Sequence, residues 1–329
     1  MDPEIQLYLR LPVEPNATDD TLTIPMAEDD TNIVVLSQRE RISVPFPKRR
    51  EVSLEEIADH HHFSFLTLDG KIGMGGLAAV YRMMTETHLG FALKVPLKVT
   101  AKTYDHFALE AHLLRDLRRK NAPVPELVSH GIAVAFPYVL MDDLGMDFLK
   151  STNTHHGNHV LAEKVSRVGL RVCDALQALH ELGYRHNDVK PANIHYALSG
   201  DIHLLDFASA TPLDSSLDSQ AFSPRYLAPE RLIDGFPVNE KVDVFGLGLV
   251  LYELLADHPA FMTTQDPNTI PGLREHVHLV KTRGYAPLTG YSPWITSLVR
   301  SMIEYDPTGR PPLSVVREEL LAVRREYFE

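Results

Sequence analysis

Between Val242 and Ala256 the chain reads Val-Asp-Val-Phe-Gly-Leu-Gly-Leu-Val-Leu-Tyr-Glu-Leu-Leu-Ala, apolar on every side of a helix. A helix without a polar face belongs inside a large protein core or in a membrane. The most apolar part, Val244 to Ala256, is shorter than the ~20 residues a bilayer needs, and it carries Glu253. It therefore reads as a buried helix that other helices must surround. Candidates for that jacket are at hand. Leu161 to Leu182 places Val165, Val168, Val172, Leu176 and Leu179 at helical spacing, and Trp294 to Glu304 and Leu313 to Phe328 are amphipathic. From about residue 145 onward the chain is expected to be mainly helical.

The chain before it has a different texture. Phe63–Thr67 and Ala78–Arg82 read as strands joined through Lys71-Ile72-Gly73-Met74-Gly75-Gly76, with Phe91–Val95 as a third. Thr103 reads as the N-cap of a helix to Arg119, with Leu109, Leu113, Leu114 and Leu117 on its apolar side. Phe136–Met141 is another apolar strand, broken by Asp142-Asp143-Leu144-Gly145. The expected fold class is α+β with two lobes. Residues 61–144 form a small β-rich N-lobe with one helix, and residues 145–329 a larger, mainly helical C-lobe. Residues 1–60 form a partly disordered N-terminal extension, rich at first in Pro, Asp and Thr. Within it Asn32 to Ser37 could pair as a strand, and Pro45, Pro47 and Lys48-Arg49-Arg50 mark a linker.

Several function classes drop out on composition. Lys and Arg total 32 against 44 Asp and Glu, a formal net charge of −12. Broad nucleic-acid binding needs a basic footprint, so no nucleic-acid partner is expected. Cys173 is the only cysteine, so no disulfide can close within the chain. Its apolar setting suggests a packed thiol, with a reactive thiol as the alternative. The start Met1-Asp2-Pro3-Glu4 lacks the features of a signal peptide, so a soluble, intracellular protein (cytoplasmic or nuclear) with no membrane partner is expected. His60-His61-His62 matches no ligand spacing, and no metal is assigned there.

Chemistry concentrates in His186-Asn187-Asp188-Val189-Lys190-Pro191-Ala192-Asn193. Asp188 could accept a proton from an alcohol, and Lys190 could offset charge on the same reacting oxygens. Asn193 offers a carbonyl oxygen to a hard cation, and Asp206 adds a carboxylate after the apolar Leu204-Leu205. Such a set suits phosphoryl transfer, where positioning and charge neutralisation dominate. Lys94 stands in an apolar strand and needs an edge or a partner; Glu110 is available, though both could be solvated charges. The glycine run lies between two strands, unlike a dinucleotide-binding turn, which opens a helix. Its backbone amides could cover phosphates, or it could be only a turn.

Taken together and in order, these residues resemble the eukaryotic-type protein kinases, from about Phe63 to the C-terminus. Gly73–Val80 resembles the glycine-rich loop, Phe91–Lys94 the lysine strand and Glu110 its helix partner. His186–Asn193 resembles the catalytic loop, Asp206-Phe207-Ala208 the metal-binding triplet, and Ala228-Pro229-Glu230 the end of the activation segment. Asp243 opens the buried helix, and Arg310, in Asp306–Pro311, would pair with Glu230. The resemblance implies catalytic roles for Asp188, Lys190, Lys94 and Glu110, and Mg²⁺ ligation by Asn193 and Asp206. It implies an ATP site of Ile72, Gly73, Gly75, Gly76, Val80, Ala92, Lys94, Met141, Asp142, Leu144 and His195. Lys190 with Pro191, together with Ser223-Pro224-Arg225-Tyr226, resembles the serine/threonine branch, with Ser223 touching Asp188 and Lys190. The implied partner is a protein substrate with a Ser or Thr acceptor.

Four positions depart from the family pattern. Ala78 replaces the third loop glycine, and Ala208 replaces the glycine after Asp206-Phe207, where a Cβ restricts backbone flipping. His195 falls where an aliphatic side chain usually lies beneath adenine. Asn187 replaces the arginine that usually receives an activation-segment phosphate. Activity independent of such phosphorylation is expected, despite Ser215, Ser216 and Ser219. None of the four removes a group that does chemistry. The other readings are a catalytically dead kinase-fold scaffold and a small-molecule kinase. Retention of Lys94, Asp188, Asn193 and Asp206 disfavours the first, and the Ala228-Pro229-Glu230 end with Arg310 disfavours the second.

Overall fold

In the computed structural model the described residues are 41–44, 50–53, 66–75, 77–85, 88–133, 136–145, 149, 158–196, 201–215, 222–233 and 236–328. The expectations for residues 1–30, for a strand at 32–37, for the linker at 45–49, and for His60–His62, Gly76, Ser216 and Ser219 lie outside them. The chain divides into two compact units. One runs to Arg119 and resumes over Pro125–Met146; the other takes Lys120–Val124 and the chain from Asp147 on.

The first unit holds a two-stranded pair, β1 (Arg41–Val44) with β2 (Arg50–Ser53), and a five-stranded antiparallel sheet. The sheet comprises β3 (Leu66–Met74), β4 (Ala78–Thr85), β5 (Gly90–Pro96), β6 (Leu127–Ala133) and β7 (Phe136–Asp142), in the order β3-β4-β5-β7-β6. Helix α1 (Ala101–Arg119) packs on β6 and β7 through Phe107, Ala111, Leu114 and Leu117, which recur at helical spacing and are buried.

Three details differ from the sequence reading. Strand β3 continues through Met74, so the glycine run begins inside a strand, with irregular register at Leu68/Gly70 and Lys71/Gly73. The cap of α1 is Thr100, not Thr103. The Thr103 N–H donates to Thr100 Oγ1 at 3.3 Å and the Thr100 N–H to Thr103 Oγ1 at 3.1 Å, a reciprocal capping pair. Strand β6 has no sequence signature because its alternation is reversed. Val128 and Ile132 face solvent, while the inward Ser129 hydroxyl bonds Tyr138 Oη at 3.2 Å.

The second unit contains α2 (Asn158–Glu181), the short strands β8 (Tyr184–Arg185), β9 (Ile194–Tyr196), β10 (Ile202–Leu204) and β11 (Thr211–Pro212), then α3 (Lys241–Ala256), α4 (Ile270–Thr282), α5 (Pro293–Met302) and α6 (Leu313–Phe328). Helix α3 is the buried element the sequence demands. It packs against α2 and α5. Gly248 allows the approach to α5, since a Cβ there would lie 2.7 Å from Met302 Cβ, and Gly246 allows that of the 186–193 loop, since a Cβ there would lie 3.0 Å from the Val189 carbonyl oxygen. Glu253 is tolerated there because it accepts the Tyr226 hydroxyl at 2.6 Å.

Helix α2 buries Val165, Val168, Val172, Cys173, Leu176 and Leu179 completely. Each such aliphatic side chain contributes about 1.5–3 kcal/mol relative to exposure. Burial pushes the Cys173 thiol up to about 12, which removes the thiolate a reactive cysteine needs. Cys173 is a packing residue. Helix α4 is hidden in the sequence by Pro271-Gly272, which resembles a break. In the fold that proline occupies the first turn, and Thr269 caps it by accepting from the Gly272 N–H.

Candidate active site

Within the sheet unit, strand register puts the implied nucleotide residues on one face. Val80 lies opposite Lys94, Gly73 opposite Val80, and Ala92 opposite Met141. Because Ala92 and Lys94 are two residues apart on one strand, all of these side chains point the same way. Lys94 is 5% and Glu110 1% exposed, and the Lys94 Nζ donates to both carboxylate oxygens at 2.7 Å. Since β5 lies inside the sheet, the lysine is paired, and the solvated alternative is set aside.

The glycines beside this face are not required by packing. A Cβ on Gly73 would meet nothing within 4 Å, and one on Gly75 only the Ala78 carbonyl oxygen at 4.0 Å. Such open space lets a ligand come close to the backbone. Ile72 is half-buried at the end of β3.

The segment after β7 is held by Asp143, whose carboxylate accepts from Arg82 Nε at 2.5 Å and from the Gly145 N–H at 2.9 Å. The Asp142 N–H is committed to the Glu126 carbonyl oxygen at 3.0 Å, so Asp142 could meet a base only through its carbonyl. Burial raises the Asp142 carboxyl above its usual range, although the Glu126 N–H donates to it. Among the described residues Leu144 makes no backbone hydrogen bond.

In the helical unit the loop of residues 186–193 hangs from α3. Asp243, in the first turn of α3, accepts the His186 N–H and the Asn187 N–H, each at 2.8 Å, and His180 Nε2 at 2.8 Å. Burial alone would raise this carboxyl. The bond and charge of His180, with the charge and N–H of His186, outweigh burial and hold it below its usual range. His186 Nδ1 accepts the Asp188 N–H at 3.3 Å, so its Nε2 carries the proton it donates to the Leu205 carbonyl at 3.1 Å. The His186 ring also meets Phe207 edge-on at 5.1 Å.

From this frame Asp188 is aimed by its own neighbours. Its Oδ2 accepts from Lys190 Nζ at 2.7 Å and from Asn193 Nδ2 at 3.2 Å, while Nδ2 also donates to the Asp188 carbonyl at 2.9 Å. Its Oδ1 is buried and has no hydrogen-bond partner among the described residues. Lys190 Nζ donates onward to Ser223 Oγ at 2.7 Å, which brings Ser223 to Lys190 as the resemblance implies.

Two oxygens are suited to a hard cation. The Asn193 amide nitrogen faces only acceptors, so its Oδ1 must turn the other way. Asp206 is exposed, and the Leu205 N–H just before it donates to the Asn193 carbonyl at 2.8 Å. Asp206 has φ +61°, a left-handed conformation that aspartate tolerates better than most residues. Mg²⁺ takes few protein oxygens and completes its shell with water and phosphates, so an amide oxygen and one carboxylate fit it.

His195 is 2% exposed, and neither ring nitrogen has a hydrogen-bond partner among the described residues. Across β9 and β10 it faces His203, with ring centroids 5.9 Å apart. Leaving a buried polar group unsatisfied costs about 1–3 kcal/mol, which a bound ligand or water would relieve. The Arg310–Glu230 pair forms as implied: Arg310 donates to the two carboxylate oxygens at 2.6 and 2.8 Å, both residues being 2% exposed. Sequence reasoning passed over Arg185, Arg231 and His180, which hold this loop through main-chain oxygens and Asp243.

The protein kinase domain family matches residues 66–321. A Wee1-like protein kinase of Oryza sativa subsp. japonica is 37% identical over 141 residues, 43% of this chain and 25% of the relative. The probable serine/threonine-protein kinase PknB of Corynebacterium glutamicum is 29% identical over 214 residues, 59% of this chain and 32% of the relative. The serine/threonine-protein kinase pakE of Dictyostelium discoideum is 28% identical over 254 residues, 73% of this chain and 26% of the relative. The chain thus spans about a third or less of the length of these curated relatives.

Proposed function

The chain belongs to the protein kinase family, and from that premise we propose that it transfers the γ-phosphate of ATP to serine and threonine hydroxyls of proteins. The observation that carries this reading is Asp188, a buried carboxylate with one oxygen fixed by Lys190 and Asn193 and the other unpartnered among the described residues. An acceptor hydroxyl at Oδ1 would be oriented for attack and would have a place to put its proton. Lys190, already bonded to Asp188 and Ser223, would neutralise charge on the transferring group. Lys94, held by Glu110, would orient the α- and β-phosphates. Mg²⁺, bound by Asn193 and Asp206, would supply charge neutralisation at the phosphate oxygens.

For the base we assign, in the sheet unit, Val80, Ala92 and Met141 as apolar surfaces with the Asp142 carbonyl and Leu144 backbone as polar contacts, and, in the helical unit taken by itself, His195 as the resemblance implies. Ile72, Gly73, Gly75 and Gly76 would cover the phosphates. Residues 61–144 and 145–329 would act as the two lobes, with 1–60 an extension. The acidic charge balance supports a protein rather than a nucleic-acid partner. No described helix is long and apolar enough to cross a membrane. The single cysteine, which can close no disulfide within the chain, supports our placing the enzyme inside the cell. A catalytically silent scaffold finds no support in a Lys94–Glu110 pair and an Asp188–Lys190–Asn193 cluster that are both formed.

The test is acid hydrolysis of a protein labelled from γ-labelled ATP, followed by separation of the phosphoamino acids. Label in phosphoserine or phosphothreonine is expected. Label in phosphotyrosine alone, or only in a small-molecule acceptor, would overturn the assignment.

A further inference from the structure

Arg185 leads the fully buried side chains by size, with 0% exposure. It closes β8, directly before His186, and its guanidinium spans several segments of the helical unit. Nε donates to Asn187 Oδ1 at 3.1 Å. One terminal nitrogen donates to the Leu213 carbonyl at 3.4 Å and the Val238 carbonyl at 3.0 Å, and the other to the Ser215 carbonyl at 3.3 Å. The backbone of Arg185 also pairs with Thr211 across β8 and β11.

Asn187 extends the reach of this group. Its Nδ2 donates to the Ser209 carbonyl at 2.8 Å and to Thr211 Oγ1 at 2.9 Å. Its main chain is fixed on both sides, the N–H by Asp243 at 2.8 Å and the carbonyl by Arg231 at 2.7 Å. With φ +68° the position is left-handed, where asparagine is more at ease than arginine. Arg185 and Asn187 together therefore fasten residues 209, 211, 213 and 215, which follow Asp206, to the catalytic loop.

We propose that Arg185, acting through Asn187, is a positioning residue for phosphoryl transfer that holds the segment after Asp206 in place without an added phosphate. The inference rests on the kinase reading. A phosphate orders a loop by giving arginines three strong acceptors. Here two of the acceptors, the Leu213 and Ser215 carbonyls, belong to the segment itself, and the arginine is already buried. Pulling the segment away would strand a buried cation's donors, and that cost keeps residues 209–215 fastened.

The test compares the full-length wild type, Arg185→Gln and Asn187→Gly by amide hydrogen exchange and steady-state kinetics. Glycine suits the left-handed position and removes only the amide. Both variants should speed exchange across 209–215 by roughly tenfold or more, while amides of Val244 to Tyr252 in α3 keep the wild-type rate. The kcat should fall by roughly 10²-fold, as for misplaced catalytic groups, with peptide KM raised and ATP KM within about twofold. Wild type treated with phosphatase until mass spectrometry detects no phosphate should keep its rate.

Unchanged exchange in 209–215, or a dephosphorylated wild type that loses its rate, would overturn the proposal. If Arg185→Gln does not fold, Asn187→Gly decides. A wild type that transfers no phosphate in either form counts against the kinase reading alone, and the exchange comparison still decides the fastening.

Discussion

Asp188→Asn is the substitution whose effect the geometry determines most fully. Asp188 Oδ2 accepts from Lys190 and Asn193, and Oδ1 accepts from nothing among the described residues. An asparagine has one oxygen to offer, and these neighbours, both donors, claim it. Turned the other way, its NH₂ would face an ammonium and an amide NH₂. The NH₂ therefore occupies the former Oδ1 position, where the acceptor hydroxyl must release its proton, and the hydroxyl meets a donor. Shape and the bonds to the loop are kept. Only the base is lost. A positioned base contributes about 10²–10⁴ in rate. At about 1.36 kcal/mol per decade this is roughly 2.7–5.5 kcal/mol of barrier. Steady-state kinetics with a Ser/Thr peptide should show kcat lower by that factor and ATP KM within about twofold, because the groups assigned to ATP are untouched. A kcat within about tenfold of wild type, or an ATP affinity that falls as far as kcat, would refute the assignment of Asp188 as base.

Three further substitutions probe other parts of the account. Lys94→Met should abolish transfer and also lower stability, because Glu110 is 1% exposed and loses its ammonium; Lys94→Met with Glu110→Gln should regain melting temperature but not activity, and regained activity would refute the role of Lys94. Arg310→Met leaves a buried Glu230 carboxylate without its counter-charge and should cost about 3–5 kcal/mol in chemical denaturation, while a loss below about 1 kcal/mol would contradict the burial of that pair. His276 is buried on α4 with Nε2 2.9 Å from the Leu227 carbonyl, and burial holds its pKa below the usual histidine value. The unfolded chain then takes up the proton first, so this stabilisation is complete above about pH 6.5 and fades as pH falls through the depressed folded value. The drop in melting temperature between about pH 7.5 and 5.5 should shrink in His276→Gln, and an equal drop would refute it.

What could be read from the sequence follows from how local each cause is. The all-round apolarity of α3 demands burial wherever the helix ends up, and α2 shows a heptad-like stripe within its own residues. Lys94 could be flagged because an ammonium in an apolar strand needs a partner, and Glu110 sits mid-helix only 16 residues away. The Asp188 cluster spans six positions and needs no distant contact to form. Other features were illegible for a physical reason. Strand β6 is an edge strand whose apolar side chains face outward, and α4 begins with Pro271-Gly272. The Thr100–Thr103 cap is reciprocal, so either residue alone resembles the start. Arg185 was invisible because it reaches distant segments through main-chain carbonyls at 213, 215 and 238, and a carbonyl is the same in every residue. His195 could be noticed as an imidazole in an aliphatic place. That both its nitrogens lack partners required the fold.

The most direct test of the central claim is transfer of labelled γ-phosphate from ATP to a generic basic protein in Mg²⁺, with Asp206→Asn beside the wild type. Asparagine tolerates the left-handed backbone at 206 and removes the carboxylate charge. The account predicts label on the substrate with wild type and background with the variant. Equal labelling by both, or none by a wild type that binds ATP, would contradict it.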